Sequence, residues 1–178
     1  MIIEEVIQVG NPIIKRNSTQ VKNVTSSRTQ KIVQDLIDSM RHHELIGIAA
    51  PQIGKNLRIF VTEIRKTATR DPKHIDQLRI FINPEIIWKS KREVVKHEGC
   101  GSVTFAKLFG PVKRPSKVKV SAFDKDGKKF TLKAEGLLGR CIQHEYDHLD
   151  GIVCVQKMDM NKIMSSNEYI KQVAKKNN

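Results

Sequence analysis

The sequence predicts an α+β domain, and three observations carry that reading. Helical hydrophobic patterns stand at either side of a run of strand patterns, so helices and strands are segregated along the chain. The strands follow one another without βαβ alternation. Two of them are joined by a short Asp/Gly turn, which brings antiparallel neighbours together. A chain of 178 residues can build one hydrophobic core without the help of disulfides.

Taken in order, the first helix is announced by Thr25, Ser26 and Ser27, any of which can cap it. Ile32, Val33, Leu36, Ile37 and Met40 then recur at helical spacing, and Gly47 marks the exit. Residues 46–54, Ile-Gly-Ile-Ala-Ala-Pro-Gln-Ile-Gly, carry little side-chain bulk, which lets backbone approach a partner closely. Strands are expected around Ile59 and Val61, over Ile80–Ile82 ending at Asn83-Pro84, and at Val94-Val95. Val118, Val120 and Ala122 alternate with Lys117, Lys119 and Ser121; after the turn Asp124–Gly127, Phe130, Leu132 and Ala134 alternate again. That pair reads as a hairpin with one wet face. Gly136–Leu149 is a second helix with Gly151 as its C-terminal cap. From Met158 onward, Ile163, Tyr169, Ile170 and Val173 predict a terminal helix, so the chain divides into a domain over 1–157 and a basic C-terminal helix or tail over 158–178.

Lys and Arg number 32 against 19 Asp and Glu, a net charge of +13. Fourteen basic and five acidic residues lie between Trp88 and Arg140. Most of these lysines fall at strand-alternating or turn positions, where a solvated face is the ordinary reading and an anionic partner the sharper one. The N-terminus, Met-Ile-Ile-Glu-Glu, is acidic where a presequence is basic, so a cytoplasmic location is expected. No apolar run approaches the length of a membrane span. Three cysteines, an odd number, favour free thiols or metal ligands over a disulfide framework.

His144-Glu145-Tyr146-Asp147-His148 is an HExxH motif inside the second predicted helix. Residues four apart share a helix face, so both imidazoles can reach one metal ion while Glu145 reaches a water beside it. A tetrahedral site needs a third protein ligand and one open position. Two cysteines are candidates. Gly151 and Cys154 stand where a metzincin-type protease has its glycine and third histidine; Cys100 lies in Glu98-Gly99-Cys100-Gly101-Ser102, where glycines free the backbone to present a thiolate. Cys154 sits in a strand-like apolar run, Ile152-Val153-Cys154-Val155, the commoner setting of a structural cysteine.

Three motifs stand in order along the chain: Leu45-Ile46-Gly47-Ile48-Ala49-Ala50-Pro51-Gln52, Glu98-Gly99-Cys100-Gly101-Ser102, and Gln143-His144-Glu145-Tyr146-Asp147-His148-Leu149-Asp150-Gly151. In this the sequence resembles the peptide deformylases, whose motifs are GxGxAAxQ, EGCxS and QHExDHLxG. The resemblance implies antiparallel sheets packed around a central HExxH-bearing helix, with an N-terminal and a C-terminal helix. It implies that Cys100, His144 and His148 ligate one divalent metal ion, Fe2+ in the first place, with Zn2+, Ni2+ or Co2+ able to replace it. Glu145 is then the acid-base residue, and Gln52 and the Gly101 N–H bind the oxyanion. Ile46 and Gly47 offer backbone to an extended peptide, and Leu137 and Cys141, on the face of His144, wall a pocket for methionine. The implied reaction removes the N-formyl group from the initiator methionine of nascent polypeptides and releases formate. The expected partners are formyl-Met nascent peptides and, through the basic surface, the ribosome; no membrane is involved, and the protein is expected to be a monomer.

The pattern fails at three places. Leu45 replaces the first glycine of the first motif, Gly101 the usual leucine of EGCLS, and Thr104 stands where many members have proline. The Val103–Pro115 loop also reads as longer than the common form. These changes point to altered substrate fit, and they motivate a deformylase-like enzyme with a drifted acyl or N-terminal preference. A ribosome- or RNA-binding module with a structural metal is the alternative that charge alone supports.

Overall fold

The computed structural model describes residues 5–67 and 71–177, with side chains as far as Gln172. Among these residues the elements run α1 (Ser27–His42), β1 (Gly47–Ala49), β2 (Ile59–Ile64), β3 (Asp76–Lys89), β4 (Glu93–Gly99), β5 (Leu108–Pro115), β6 (Lys117–Phe123), β7 (Lys129–Glu135), α2 (Gly136–Leu149), β8 (Met164–Ser165) and α3 (Ser166–Asn177). The fold is mixed, with two antiparallel sheets and three helices. One sheet has the order β1-β2-β3-β6-β7 and the other β4-β5-β8. No described helix is long and apolar enough to cross a membrane.

Ser26 caps α1, its hydroxyl accepting from Thr29 N, and the periodic Ile32, Val33, Leu36, Ile37 and Met40 are all buried. The expected exit at Gly47 is corrected: α1 ends at His42, and Glu44 takes the left-handed turn (φ 55°) as Leu45 N returns to Met40 O at 2.9 Å. Gly47 instead begins the edge strand β1.

The five-stranded sheet lies between α1 and α2. Ile59, Val61 and Ile82 pack toward α1, while Phe60 and Phe81, stacked with centroids 4.5 Å apart, face Ile142 and Leu149 of α2. Consecutive residues of β2 are therefore buried on opposite faces, and the strand reads as an apolar run. The predicted hairpin is present in register from Lys117↔Glu135 to Phe123↔Lys129.

Two strand boundaries differ from expectation. β3 does not stop at Asn83-Pro84 but passes through a bulge there, where the register shifts between Ile82 and Glu85. Asn83 takes φ 50° and its side-chain amide accepts from Val21 N at 2.8 Å and donates to Val21 O at 2.9 Å, supplying pairing that the irregular backbone gives up. The expected loop Val103–Pro115 is in large part strand β5, paired with β4 from Gly99↔Phe109 to Glu93↔Pro115.

α2 matches the expected Gly136–Leu149, with Gly151 at φ 70° just beyond its end. A Cβ on Gly151 would run into the Lys15 carbonyl. The strand expected at Cys154 is a 3-10 helix, Cys154–Lys157. The terminal helix begins at Ser166, later than Met158, because Met158 is buried beneath β5 and bridged to Val112, and β8 pairs with Leu108 and Phe109 first. The side chain of Val173 lies outside the described residues.

Candidate active site

β4 delivers Cys100 from its end, and α2 delivers His144, Glu145 and His148 from its last two turns. Cys100, His144 and Glu145 line a cavity of about 300 Å³, together with Gln52, Gly101, Ile46, Gly47, Leu137 and Cys141. Every site residue that the family resemblance implied, except His148, thus borders one cavity; His148 Nε2 lies 3.2 Å from Cys100 Sγ, and Cys154, the other candidate ligand, is likewise not among the lining residues.

The donor atoms of Cys100, His144 and Cys154 lie within 4.8 Å of one another. Both cysteines considered as a third ligand are therefore at hand, but their electrostatics differ. A hydrogen bond from the Cys154 thiol and the facing imidazoles hold the Cys100 thiol well below its usual range, whereas Cys154, buried beside that sulfur, is pushed up and keeps its proton. Burial opposes a charge on His144, yet Cys100 and Glu98 raise its pKa well above the ordinary histidine value.

His144 is oriented by a buried ionic network that the sequence reading missed. Glu98 Oε2 lies 2.9 Å from His144 Nδ1, so the carboxylate engages that nitrogen and Nε2 is the one that can serve a metal. Arg114 clamps the same carboxylate with Nε at 2.6 Å and Nη2 at 2.8 Å, and its Nη1 donates to Asp147 at 2.7 Å. Arg140 adds a donor to Glu98 at 2.6 Å and also bonds the Val112 and Val94 carbonyls. Burial alone would raise the Glu98 pKa; hydrogen bonds from Arg114 and His144 reverse this and hold it far below the carboxylate range. The only sequence signal was Glu98 inside the second motif and Arg114-Pro115 after it.

Glu145 is buried and its Oε2 has no partner among the described residues. Burial raises its pKa to about 7 against the pull of the two imidazoles. Gln52 is fixed in orientation: its Oε1 accepts from Ala49 N at 2.8 Å, so its Nε2 must face Ser102 Oγ at 3.1 Å and Cys100 Sγ at 3.8 Å. Ser102, also missed in the sequence, donates its backbone N–H to Cys100 Sγ at 3.4 Å. The segments bearing Gln52 and Ser102 are tied by the N-terminal arm, with Ile7 N bonded to Gln52 O and Val9 N to Ser102 O, both at 2.8 Å.

β1 is a free sheet edge beside the cavity. Glu63 N bonds Ile46 O at 2.9 Å, so Ile46 is turned toward β2 and, by strand alternation, Gly47 carries its N–H and C=O at the outer edge. A Cβ on Gly47 would stand 2.6 Å from Cys141 Sγ and 2.7 Å from Glu145 Oε1, so only glycine lets β1 lie this close to α2.

Leu45 and Gly101 stand against each other. A Cβ on Gly101 would lie 3.1 Å from Leu45 Cδ1 and 3.3 Å from Val6 Cγ1, so Leu45 fills the space that a leucine at 101 would claim. Thr104, Phe105 and Ala106 all have positive φ, 47°, 52° and 59°. Proline, locked near −65°, cannot take that turn, which accounts for the third departure.

The family profile of polypeptide deformylases matches residues 3–163. A peptide deformylase of Dictyoglomus thermophilum is 36% identical over 156 residues, 88% of this chain and 93% of the relative. Peptide deformylase 1 of Clostridium perfringens is 39% identical over 142 residues, 80% of this chain and 89% of the relative. Among solved structures, a class I type b peptide deformylase from Acinetobacter baumannii with Met-Ala-Ser bound superposes with a TM-score of 0.83 at 27% identity, covering 88% of this chain and 99% of that one. The enzyme from Ehrlichia chaffeensis gives 0.81 at 29% identity over 99% and 98%. With ordered motifs, matching fold and relatives of nearly equal span all in agreement, this chain belongs to the peptide deformylase family.

Proposed function

We infer that this chain is a metal-dependent peptide deformylase that hydrolyses the N-formyl group of the initiator methionine on nascent polypeptides, releasing formate and a free amine. The carrying observation is the meeting of Cys100, His144, Glu145 and Gln52 on one cavity, with His148 against Cys100. The ligand set is Cys100, His144 and His148, presented by β4 and by α2 as the central HExxH helix; Cys154, which keeps its proton, stands behind it. Cys plus two His suits Fe2+ as resident ion and accepts Zn2+, Ni2+ or Co2+. Such an ion supplies a Lewis acid and a water acidic enough to attack near neutral pH.

Glu145 takes the proton of the attacking water on its unpaired Oε2 and returns it to the departing amine; a carboxyl titrating near neutrality can do both. Gln52 Nε2 and the Gly101 N–H donate to the oxygen on which charge develops. The Gln52 amide is held by Ala49 before substrate arrives, so little reorganisation is needed. The peptide adds as a strand along β1, hydrogen-bonding Gly47, while Ile46, Leu137 and Cys141 enclose the methionine side chain. That the Acinetobacter baumannii relative binds Met-Ala-Ser supports a methionine-led peptide here. The basic stretch from Trp88 to Arg140 and the segment 158–178 favour a salt-sensitive contact of this cytoplasmic monomer with ribosomal RNA.

The test is formate release from formyl-Met-Ala-Ser by anaerobically iron-loaded protein. Wild type turns over, and Glu145→Gln loses about 10²–10⁴-fold in kcat while keeping its metal. Absence of formate from the loaded wild type would overturn the reading. Equal rates on acetyl and formyl peptides would instead favour the drifted pocket.

A further inference from the structure

We propose that Cys154 is a resolving cysteine for Cys100: when the metal is lost and peroxide enters the cavity, the two sulfurs join in a reversible intramolecular disulfide. The observation is their juxtaposition, with both sulfurs in one buried cluster beside His144 and no more than 4.8 Å apart. Cys100 borders the cavity and meets whatever enters it; Cys154 does not line it and lies behind, at the start of the Cys154–Lys157 turn. Ile14, Val103 and Val112 pack around the pair, so neither sulfur is open to a second protein molecule. Cys141 also borders the cavity, but it packs with Ile46 and Ile64 and is not a member of the Cys100 cluster. The mechanism of hydrolysis makes no use of Cys154.

The chemistry balances with hydrogen peroxide as oxidant. The Cys100 sulfur attacks one peroxide oxygen; an S–O bond forms, the O–O bond breaks, and hydroxide leaves as water after taking the thiol proton. Sulfur is oxidised by two electrons and peroxide reduced by two. The Cys154 sulfur then attacks the Cys100 sulfur, the S–O bond breaks, and the hydroxyl departs as water with the Cys154 proton. Two thiols and one peroxide give one disulfide and two waters. A dithiol reductant reverses the cross-link, whereas sulfinic and sulfonic acids are not recovered this way. The pair thus protects the metal ligand against irreversible loss.

The experiment treats the metal-free full chain with hydrogen peroxide, alkylates the remaining thiols and reads intact mass and peptide map. The expected wild-type product has lost about 2 Da, retains one of three alkylatable thiols, and yields a linked Cys100–Cys154 peptide. Dithiothreitol restores all three thiols and stoichiometric zinc binding. In Cys154→Ser and Cys154→Ala, two variants whose folding is checked by circular dichroism, Cys100 gains about 32 or 48 Da and dithiothreitol restores nothing. A bound metal slows cross-linking, because it holds the Cys100 sulfur. Over-oxidation of Cys100 at the same rate in wild type and both variants, or a Cys100–Cys141 link, would overturn the proposal. The readout is sulfur mass, so it stands apart from formate release.

Discussion

Placing leucine at position 101 tests whether Leu45 and Gly101 are a single exchange of volume. The added Cβ would lie 3.1 Å from Leu45 Cδ1, inside the ordinary carbon contact of about 3.5–4.0 Å, before the rest of the side chain is placed. Buried Val6 stands 3.3 Å from the same Cβ, so there is a second close neighbour to displace. Gly101→Leu therefore overpacks the wall and should cost about 1–3 kcal/mol. Leu45→Gly empties a partly buried site and frees backbone, for a loss of about 1–2 kcal/mol. In the double variant the leucine at 101 enters the space vacated at 45, and the two losses should fail to add by about 1–3 kcal/mol in the stabilising direction. Urea unfolding of the four zinc-loaded proteins measures the cycle, with unchanged m-values as the check on a common reference state. Losses that add to within about 0.5 kcal/mol would refute the exchange and return the two positions to independent effects on the pocket.

Gly47→Ala places a methyl group against Cys141 Sγ and Glu145 Oε1, so peptide turnover should fall at least tenfold with metal content unchanged, read by steady-state kinetics and metal analysis. Cys100→Ser should weaken Co2+ binding by orders of magnitude and abolish sulfur-to-cobalt charge transfer, while Cys154→Ser retains both; the reverse result would reassign the third ligand. The Glu98 pKa lies below its ordinary 4.5 in the folded protein, so the pair with Arg114 contributes stability above that pH and loses it as the pH falls further. Glu98→Gln should flatten this acid limb in denaturation measured from pH 7 to pH 3, and cost about 3–5 kcal/mol at pH 7 by leaving buried Arg140 without its carboxylate and Arg114 with Asp147 alone.

The HExxH helix was legible because glycines at 136 and 151 punctuate it and its apolar period is unbroken. The HExxH spacing placed His144 and His148 one turn apart on that helix, and motif order brought Cys100 to the same place. β5 was not legible, since Gly110, Pro111 and Pro115 read as loop. The structure tolerates Pro111 because β8 pairs only with Leu108 and Phe109, so the missing N–H faces no strand. Asn83-Pro84 misled in the same way, because a bulge and a side chain bonded to Val21 carry the strand through. The buried carboxylate network lay beyond local pattern altogether: Glu98, Arg114, Arg140 and Asp147 come from three elements, and no periodicity encodes their meeting. Likewise the contact between Leu45 and position 101 exists only across space.

The ties from Ile7 to Gln52 and from Val9 to Ser102 have an entropic consequence. The two donors proposed for one developing charge must be held at a fixed separation, yet their segments lie some fifty residues apart in the chain. A short arm bonded to both closes that wide loop locally and takes its ordering cost at folding, so substrate does not have to meet it at each turnover. Changes at the amino-terminal arm, far from any metal ligand in sequence, should thus be felt as slower chemistry before they are felt as weaker binding.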